Sequence, residues 1–311
     1  MRPCVTVPDE RWLDPWPIGE DRAVDVVLWD VRNSAPPADP PADPQFVVLP
    51  YMVPPDFDRI RALESLRVLQ TLSAGYEFVL PHLPDGVTLC NARGVHDAST
   101  AELAVGLVIA GLRGLGDFAA AQPEQRWLAG TRTSLADRRV LLIGAGSVGE
   151  AIARRLEPFE VALTRLATTA RDAPAGRVHA VAELPDLLPA HDVVIVVVPL
   201  TDTTRGLVDQ AFLAAMPDGA LLVNVARGPV VVTDALVAEL ASGRLRAALD
   251  VTDPEPLPPG HPLWTTPGTL ISPHVGGDTT AFPPRARALL RDQFARFAAR
   301  LPLLNVVAGP R

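Results

Sequence analysis

A chain of 311 residues, at about 150 per domain, is long enough for two domains that each bury a core without disulfide staples. Its 48% hydrophobic and 21% charged residues exclude the composition of a disordered chain, and a net charge of −8 disfavours nucleic acid as a partner. All 28 basic residues are arginine, which rules out a lysine-dependent phosphate loop, a pyridoxal Schiff base and a Tyr-Lys reductase dyad.

Short β-branched runs alternate with helical patterns, the sign of βαβ units, so the expected class is α/β with parallel sheets. In chain order, strands are expected at 24–29, 46–49, 68–72 and 87–90, with a helix at 57–65. Five prolines within 35–44 cannot join a sheet ladder and predict a surface loop. Ser99-Thr-Ala-Glu102 has the form of a capping box and predicts a long helix that starts there and stops among Gly111, Gly114 and Gly116. An extended stretch with Trp127 follows, then strands at 140–143, near 161–164, and at 193–198, 221–225, 247–250 and 269–271, and a last helix at 284–300. Residues 193–198 are apolar throughout, as a strand buried on both faces demands. Two cysteines, Cys4 and Cys90, without CxxC, and no basic leader or long apolar span, point to a reducing cytoplasmic setting.

The strand at 140–143 runs into Gly144-Ala-Gly146-Ser147-Val148-Gly149 and then a helical pattern, the context in which GxGxxG binds a dinucleotide. Gly144 allows the tight turn, Gly146 the approach of a pyrophosphate, and Gly149 close packing of helix on strand, while the helix N-terminus offers N–H donors. An acidic residue about 20 positions on would hold the ribose 2′-hydroxyl of NAD(H), but that position falls near Ala167 or Thr168, between Arg165 and Arg171. Arginines and hydroxyls welcome a 2′-phosphate, which favours NADP(H). The alternative is that these arginines form a solvated rim and Asp172 takes the ribose of NAD(H).

Three later segments pair a strand end with polar residues: Asn224-Val-Ala226-Arg227-Gly228, Asp250-Val-Thr-Asp-Pro-Glu255-Pro256 and Ser272-Pro-His274-Val-Gly276-Gly277. Each alone is ordinary turn chemistry. Together they supply what reduction of a 2-oxo acid requires: a proton donor, His274; a carboxylate that keeps the donor charged, Glu255; and a cation for the substrate carboxylate, Arg227.

On these motifs the sequence resembles the D-isomer-specific 2-hydroxyacid dehydrogenase family, which contains glyoxylate, hydroxypyruvate and D-lactate-type reductases, over nearly its whole length. The family's N-x-[AS]-R-G, D-V-x-x-x-E-P and P-H-x-[GA]-G segments carry its catalytic Arg, Glu and His and match Arg227, Glu255 and His274. The resemblance implies a Rossmann nucleotide domain, 98–278, inserted into a flavodoxin-like substrate domain, 1–97 with 279–311. It further implies that the Ser73-Ala74-Gly75 turn binds the substrate carboxylate and that Thr100 lies at the cofactor. Val198, Pro199 and Thr204 would border the adenosine, and Asp250 would receive the nicotinamide carboxamide, with Ala226 and Gly276 in the flanking loops. Hydride transfer to the carbonyl carbon is then matched by proton transfer from His274, and in reverse neutral His274 takes the hydroxyl proton, so oxidation favours higher pH. By resemblance the stretch around Trp127 is an arm of a homodimer formed through the nucleotide domain.

Tyr51 and Met52, after a strand end, are candidates for the substrate's side-chain pocket. His82, His96, His179, His191 and His261 have no acidic or cysteine partner at metal-ligand spacing, so they are assigned no role and no metal is expected. A reading from another class is a dinucleotide-sensing, corepressor-type protein with little turnover, which would need a partner surface such as the 35–44 stretch.

Overall fold

The structure, a computed structural model, describes residues 2–13, 23–32, 44–174 and 176–310. Most of the loop expected at 35–44 lies outside the described residues; its last member, Pro44, opens a strand. The chain forms two compact units, Met1–His96 with Thr280–Arg311, and Asp97–Thr279.

In the first unit, β1 (Cys4–Val7), β2 (Asp25–Leu28), β3 (Pro44–Val48), β4 (Val68–Gln70) and β5 (Thr88–Cys90) form a parallel sheet in the order β2-β1-β3-β4-β5. The order reverses between β1 and β3, the flavodoxin-like arrangement. β1 escapes the sequence reading because only Val5 and Val7 mark it, yet both are fully buried, on a strand flanked by β2 and β3. Helix α1 (Phe57–Arg61) is shorter than the helix expected at 57–65. Asp56 caps its start, and a tightened turn, Leu63 N–H to the Ile60 carbonyl, ends it early.

The second unit holds β6 (Arg139–Ile143), β7 (Ala162–Ala167), β8 (Arg171–Ala173), β9 (Gly176–Ala180), β10 (Val193–Val196), β11 (Leu221–Asn224), β12 (Arg246–Leu249) and β13 (Thr269–Ile271). Their order is β13-β12-β11-β10-β6-β7-β9-β8, parallel throughout except for the antiparallel β8–β9 pair. The reversal between β6 and β10 is the Rossmann switch point, where open α/β sheets place ligands at the strands' carboxyl ends. Successive side chains serve opposite cores: Leu141, Ile143, Val194 and Val196 pack on one face, and Val140, Leu142, Val193 and Ile195 on the other. The helices are α2 (Asp97–Arg113), α3 (Leu115–Ala121), α4 (Ser147–Leu156), α5 (Leu184–Leu187), α6 (Gln210–Ala215) and α7 (Thr233–Ala241).

α2 starts two residues before the expected capping box, so Ser99 lies inside the helix. Its hydroxyl is bonded to Thr279 Oγ1 at 2.8 Å instead of capping. Gly114, at φ 68, breaks the helix, and α3 follows where extended chain was expected. No single described helix is long and apolar enough to cross a membrane; α2 with α3 passes only jointly and is bent by 67°.

The chain then returns to the first unit with α8 (Phe282–Ala298) and β14 (Val306–Ala308), which pairs antiparallel with β5. Phe294 of α8 meets Phe46 edge-on at 5.0 Å. Buried Gln293 joins Gln70 to Leu304 through hydrogen bonds of 2.8 to 3.0 Å.

Candidate active site

β6 ends at Ile143, and the chain turns through Gly144, at φ 117, into α4, whose N-cap is Gly146. A Cβ on Gly144 would collide with the carbonyl oxygen of Val197, just past β10, and one on Gly149 with the carbonyl oxygen of Gly144. Beside Gly146, by contrast, the space is open to 4 Å. Packing therefore demands the outer two glycines, while Gly146 leaves a cradle in front of the N–H groups of α4, and the residues present fit a dinucleotide pyrophosphate. Ser147 Oγ donates to Asp97 Oδ1 at 3.2 Å, and Val148 packs on the core. Past β10, Val198 packs against the core and the Thr204 hydroxyl donates to the Pro199 carbonyl at 2.6 Å, closing an exposed turn.

Beyond β7, Thr168 and Thr169 are exposed in the turn that leads to β8. Arg171 opens β8 and its Nη2 donates to the Ala145 carbonyl at 2.9 Å, which places it at the glycine loop. Asp172, the alternative ribose ligand, is exposed and lies opposite Arg177 in the hairpin. Arg165 departs from expectation. Its side chain is 4% exposed, with Nη1 on the Glu150 carboxylate at 3.2 Å and Nη2 on the Gly176 carbonyl at 2.7 Å. The guanidinium is committed to protein partners beneath the surface, so it is withdrawn from the direct phosphate contact read from the sequence.

The strands β11, β12 and β13 are neighbours, and the three polar segments follow their carboxyl ends. Buried Asn224 accepts from the Ala226 N–H at 3.0 Å and donates to the Arg227 carbonyl at 3.1 Å, shaping the turn that presents Arg227. Arg227 Nη1 also donates to the Ala226 carbonyl at 2.7 Å. A Cβ on Gly228 would collide with the Thr252 carbonyl oxygen, so this turn lies directly against the loop after β12.

Asp250 organises the third segment. Its buried carboxylate accepts from Ser272 Oγ at 2.7 Å and from the Val275 and Gly276 N–H groups at 3.0 Å, while its carbonyl accepts from the His274 N–H at 2.8 Å. A Cβ on Gly276 would meet Asp250 Oδ2 at 2.8 Å and Thr100 at 3.5 Å, which puts the start of α2 against the same loop. His274 is thereby held at φ 53, in the left-handed region that side-chain-bearing residues rarely adopt.

His274 Nδ1 donates to Glu255 Oε1 at 2.6 Å. Burial alone would push the Glu255 carboxyl up. The hydrogen bond and charge of His274, the Thr252 backbone and the charge of Arg227 outweigh it and hold the group below the usual carboxylate range. Glu255 is therefore the ionised acceptor, and Nδ1 carries the proton of that hydrogen bond. Among the described residues no cluster of His, Cys, Asp and Glu could hold a metal ion.

On the first unit, the Tyr51 ring packs 5.5 Å from His96 and 4.3 Å from Phe282, part of an aromatic cluster, while Met52 is 56% exposed at φ 57. In the Ser73–Gly75 turn, Ser73 Oγ donates to the Gly75 carbonyl at 2.6 Å and Asn91 Nδ2 to the Ala74 carbonyl at 2.7 Å. The Ala92 N–H donates to the Ser73 carbonyl at 2.9 Å, so the turn's three carbonyls are all occupied, and what the turn has to offer a ligand is its backbone N–H groups, those of Ala74 and Gly75 among them. A cavity of about 450 Å³, lined by Gly111, Arg132, Arg246 and Thr269, opens at the amino ends of β12 and β13, the sheet edge opposite the catalytic candidates.

Comparison with known proteins adds the following. The family model for the D-isomer specific 2-hydroxyacid dehydrogenase NAD binding domain matches residues 105–276. The human glyoxylate reductase/hydroxypyruvate reductase is 37% identical over 231 residues, 69% of this chain and 69% of that protein. Among solved structures, a D-isomer specific 2-hydroxyacid dehydrogenase from Xanthobacter autotrophicus in complex with NADPH superposes with a TM-score of 0.81 at 28% identity, covering 99% of this chain and 98% of that one. An NADPH-dependent glyoxylate/hydroxypyruvate reductase from Sinorhizobium meliloti, in complex with NADP and malonate, gives 0.80 at 27% identity with the same coverage.

Proposed function

The chain belongs to the D-isomer specific 2-hydroxyacid dehydrogenase family, and from that premise we propose that it reduces small 2-oxo acids to D-2-hydroxy acids with NADPH, His274 giving the proton in reduction and taking it in oxidation. The observation that carries this reading is the 2.6 Å hydrogen bond from His274 Nδ1 to an ionised Glu255. It fixes the imidazole and directs its other nitrogen to the substrate oxygen. Arg227, whose turn lies against the loop that leads to Glu255, would grip the substrate carboxylate with its planar fork and draw electron density from the carbonyl. When bound, the nicotinamide supplies the hydride. The α4 N–H groups would hold the pyrophosphate, Asp250 the carboxamide, and Thr168 and Arg171 the 2′-phosphate. NADPH is favoured by the absence of an acid at the end of β7, by Arg171 at the glycine loop, and by the NADPH and NADP carried by two structural relatives. The Ala74 and Gly75 amides of the first unit form a second candidate carboxylate-binding group.

The test is oxidation of NADPH and of NADH by the purified protein, followed at the nicotinamide absorbance, against glyoxylate, hydroxypyruvate, pyruvate, phenylpyruvate and 2-oxoisocaproate. Turnover with a preference for NADPH is expected. Tight dinucleotide binding without turnover of any of them would reject the reaction. We also propose a homodimer through the second unit, which would cover Trp127, 94% exposed here. A monomer by light scattering at micromolar concentration would reject it.

A further inference from the structure

Arg165 is the best-buried charge near the glycine loop, and its contacts form a circuit. Nη1 grips Glu150 in the first turn of α4 at 3.2 and 3.3 Å, and Nη2 donates to the carbonyl of Gly176, where β9 begins. β9 carries β8, with Ala173 opposite Gly176 and Arg171 opposite Val178. Arg171 closes the circuit on Ala145, in the glycine loop that leads into α4. β8 has three residues, is bonded to β9 alone and is exposed at two of its three positions. β9 is held by its parallel ladder with β7 only over Val178–Ala180, so Gly176, Arg177 and the three residues of β8 lie outside that ladder, and a two-stranded ribbon of that size does not hold its own position.

We propose that Arg165 and Glu150 are positioning residues for cofactor selectivity: they set the β8–β9 hairpin, and with it the Arg171 guanidinium, at the place where a 2′-phosphate is read, without either touching the dinucleotide. This rests on the reading of Arg171 as the 2′-phosphate ligand. Only a guanidinium suits the task, because its planar fork donates to a carboxylate and a carbonyl at once, whereas an ammonium is a point charge without that geometry. The pair is also self-contained, so removing both members leaves no uncompensated buried charge.

The experiment compares wild type, Arg165→Lys, the paired Glu150→Met/Arg165→Met, Arg171→Ala, and Arg171→Ala with Arg165→Lys. The readouts are KM and kcat with NADPH and NADH, dissociation constants for 2′,5′-ADP and ADP, and the melting temperature. Arg165→Lys and the paired variant are expected to raise the NADPH KM and the 2′,5′-ADP Kd by about tenfold, the worth of one charge-assisted hydrogen bond, with NADH and ADP changed by less than about twofold. Adding Arg165→Lys to Arg171→Ala should cost nothing further, since both act through one guanidinium. Equal losses with both cofactors, or losses that add in full, overturn the proposal. A wild-type NADPH preference retained in Arg165→Lys and in the paired variant overturns the positioning role alone, whereas a wild type without that preference overturns the cofactor reading and this inference together.

Discussion

At His274 the backbone is held in a left-handed conformation by Asp250, which gathers the N–H groups of residues 274 to 276 and the Ser272 hydroxyl. The histidine is thus placed by the buried Asp250 and oriented by the partly exposed carboxylate of Glu255. His274→Ala is expected to lower kcat by about 10²- to 10⁴-fold, the range for loss of a general acid, while the NADPH dissociation constant by fluorescence titration stays unchanged. On the proposed reaction, reduction consumes a proton and oxidation releases one, so raising the pH should slow the reductive rate and favour the oxidative one in initial-rate assays. Glu255 carries a separate stability signature. Its folded carboxyl lies below the ordinary range, so its stabilising contribution is present above the unfolded value near 4.5 and is lost as pH falls through the folded one. The urea midpoint of wild type should therefore fall further below pH 4.5 than that of Glu255→Gln, and parallel curves would refute this. Polar residues after apolar runs mark Arg227, Glu255 and His274 in the sequence. Arg165 misleads because its partner Glu150 is a helix away and strand alternation does not say which face is covered.

Among the elements, the glycine turn gives the clearest contrast. Gly144→Ala and Gly149→Ala drive a Cβ into a backbone carbonyl, and at Gly144 the strained φ adds about 1–3 kcal/mol, so a lower melting temperature and lost dinucleotide binding are expected. Gly146→Ala has room in the protein, so it should melt like wild type and weaken NADPH binding alone. If Gly146→Ala binds NADPH as tightly as wild type, the pyrophosphate does not lie there. The long apolar run of β10 was legible because burial on both faces leaves no polar position. β8 and β9 were not, since charged residues interrupt any apolar run in them, and β1 and β14 are each marked by only two valines. The start of α2 was misplaced for a different reason: Ser99 finds its partner at Thr279, 180 positions away, where no local pattern points.

For the whole molecule, the α/β class follows from the alternation of apolar runs alone, while the strand orders need the tertiary structure. The second unit is one uninterrupted stretch, with two cores of its own and every dinucleotide-binding candidate inside it. A fragment of residues 97–279 is expected to fold and to bind NADPH, and 100 Kd of ligand should stabilise it by about 2.7 kcal/mol in thermal unfolding. A fragment that stays unfolded with ligand would show that its cores do not suffice. The first unit is assembled from both ends of the chain, with Phe46 packed on Phe294 and β5 paired with β14. On the ribosome, then, the inserted unit emerges whole while the first still waits for its final helix and strand. Until α8 and β14 emerge, the nascent chain shows a bare apolar sheet face and an open β5 edge, and these are the surfaces on which a chaperone would act.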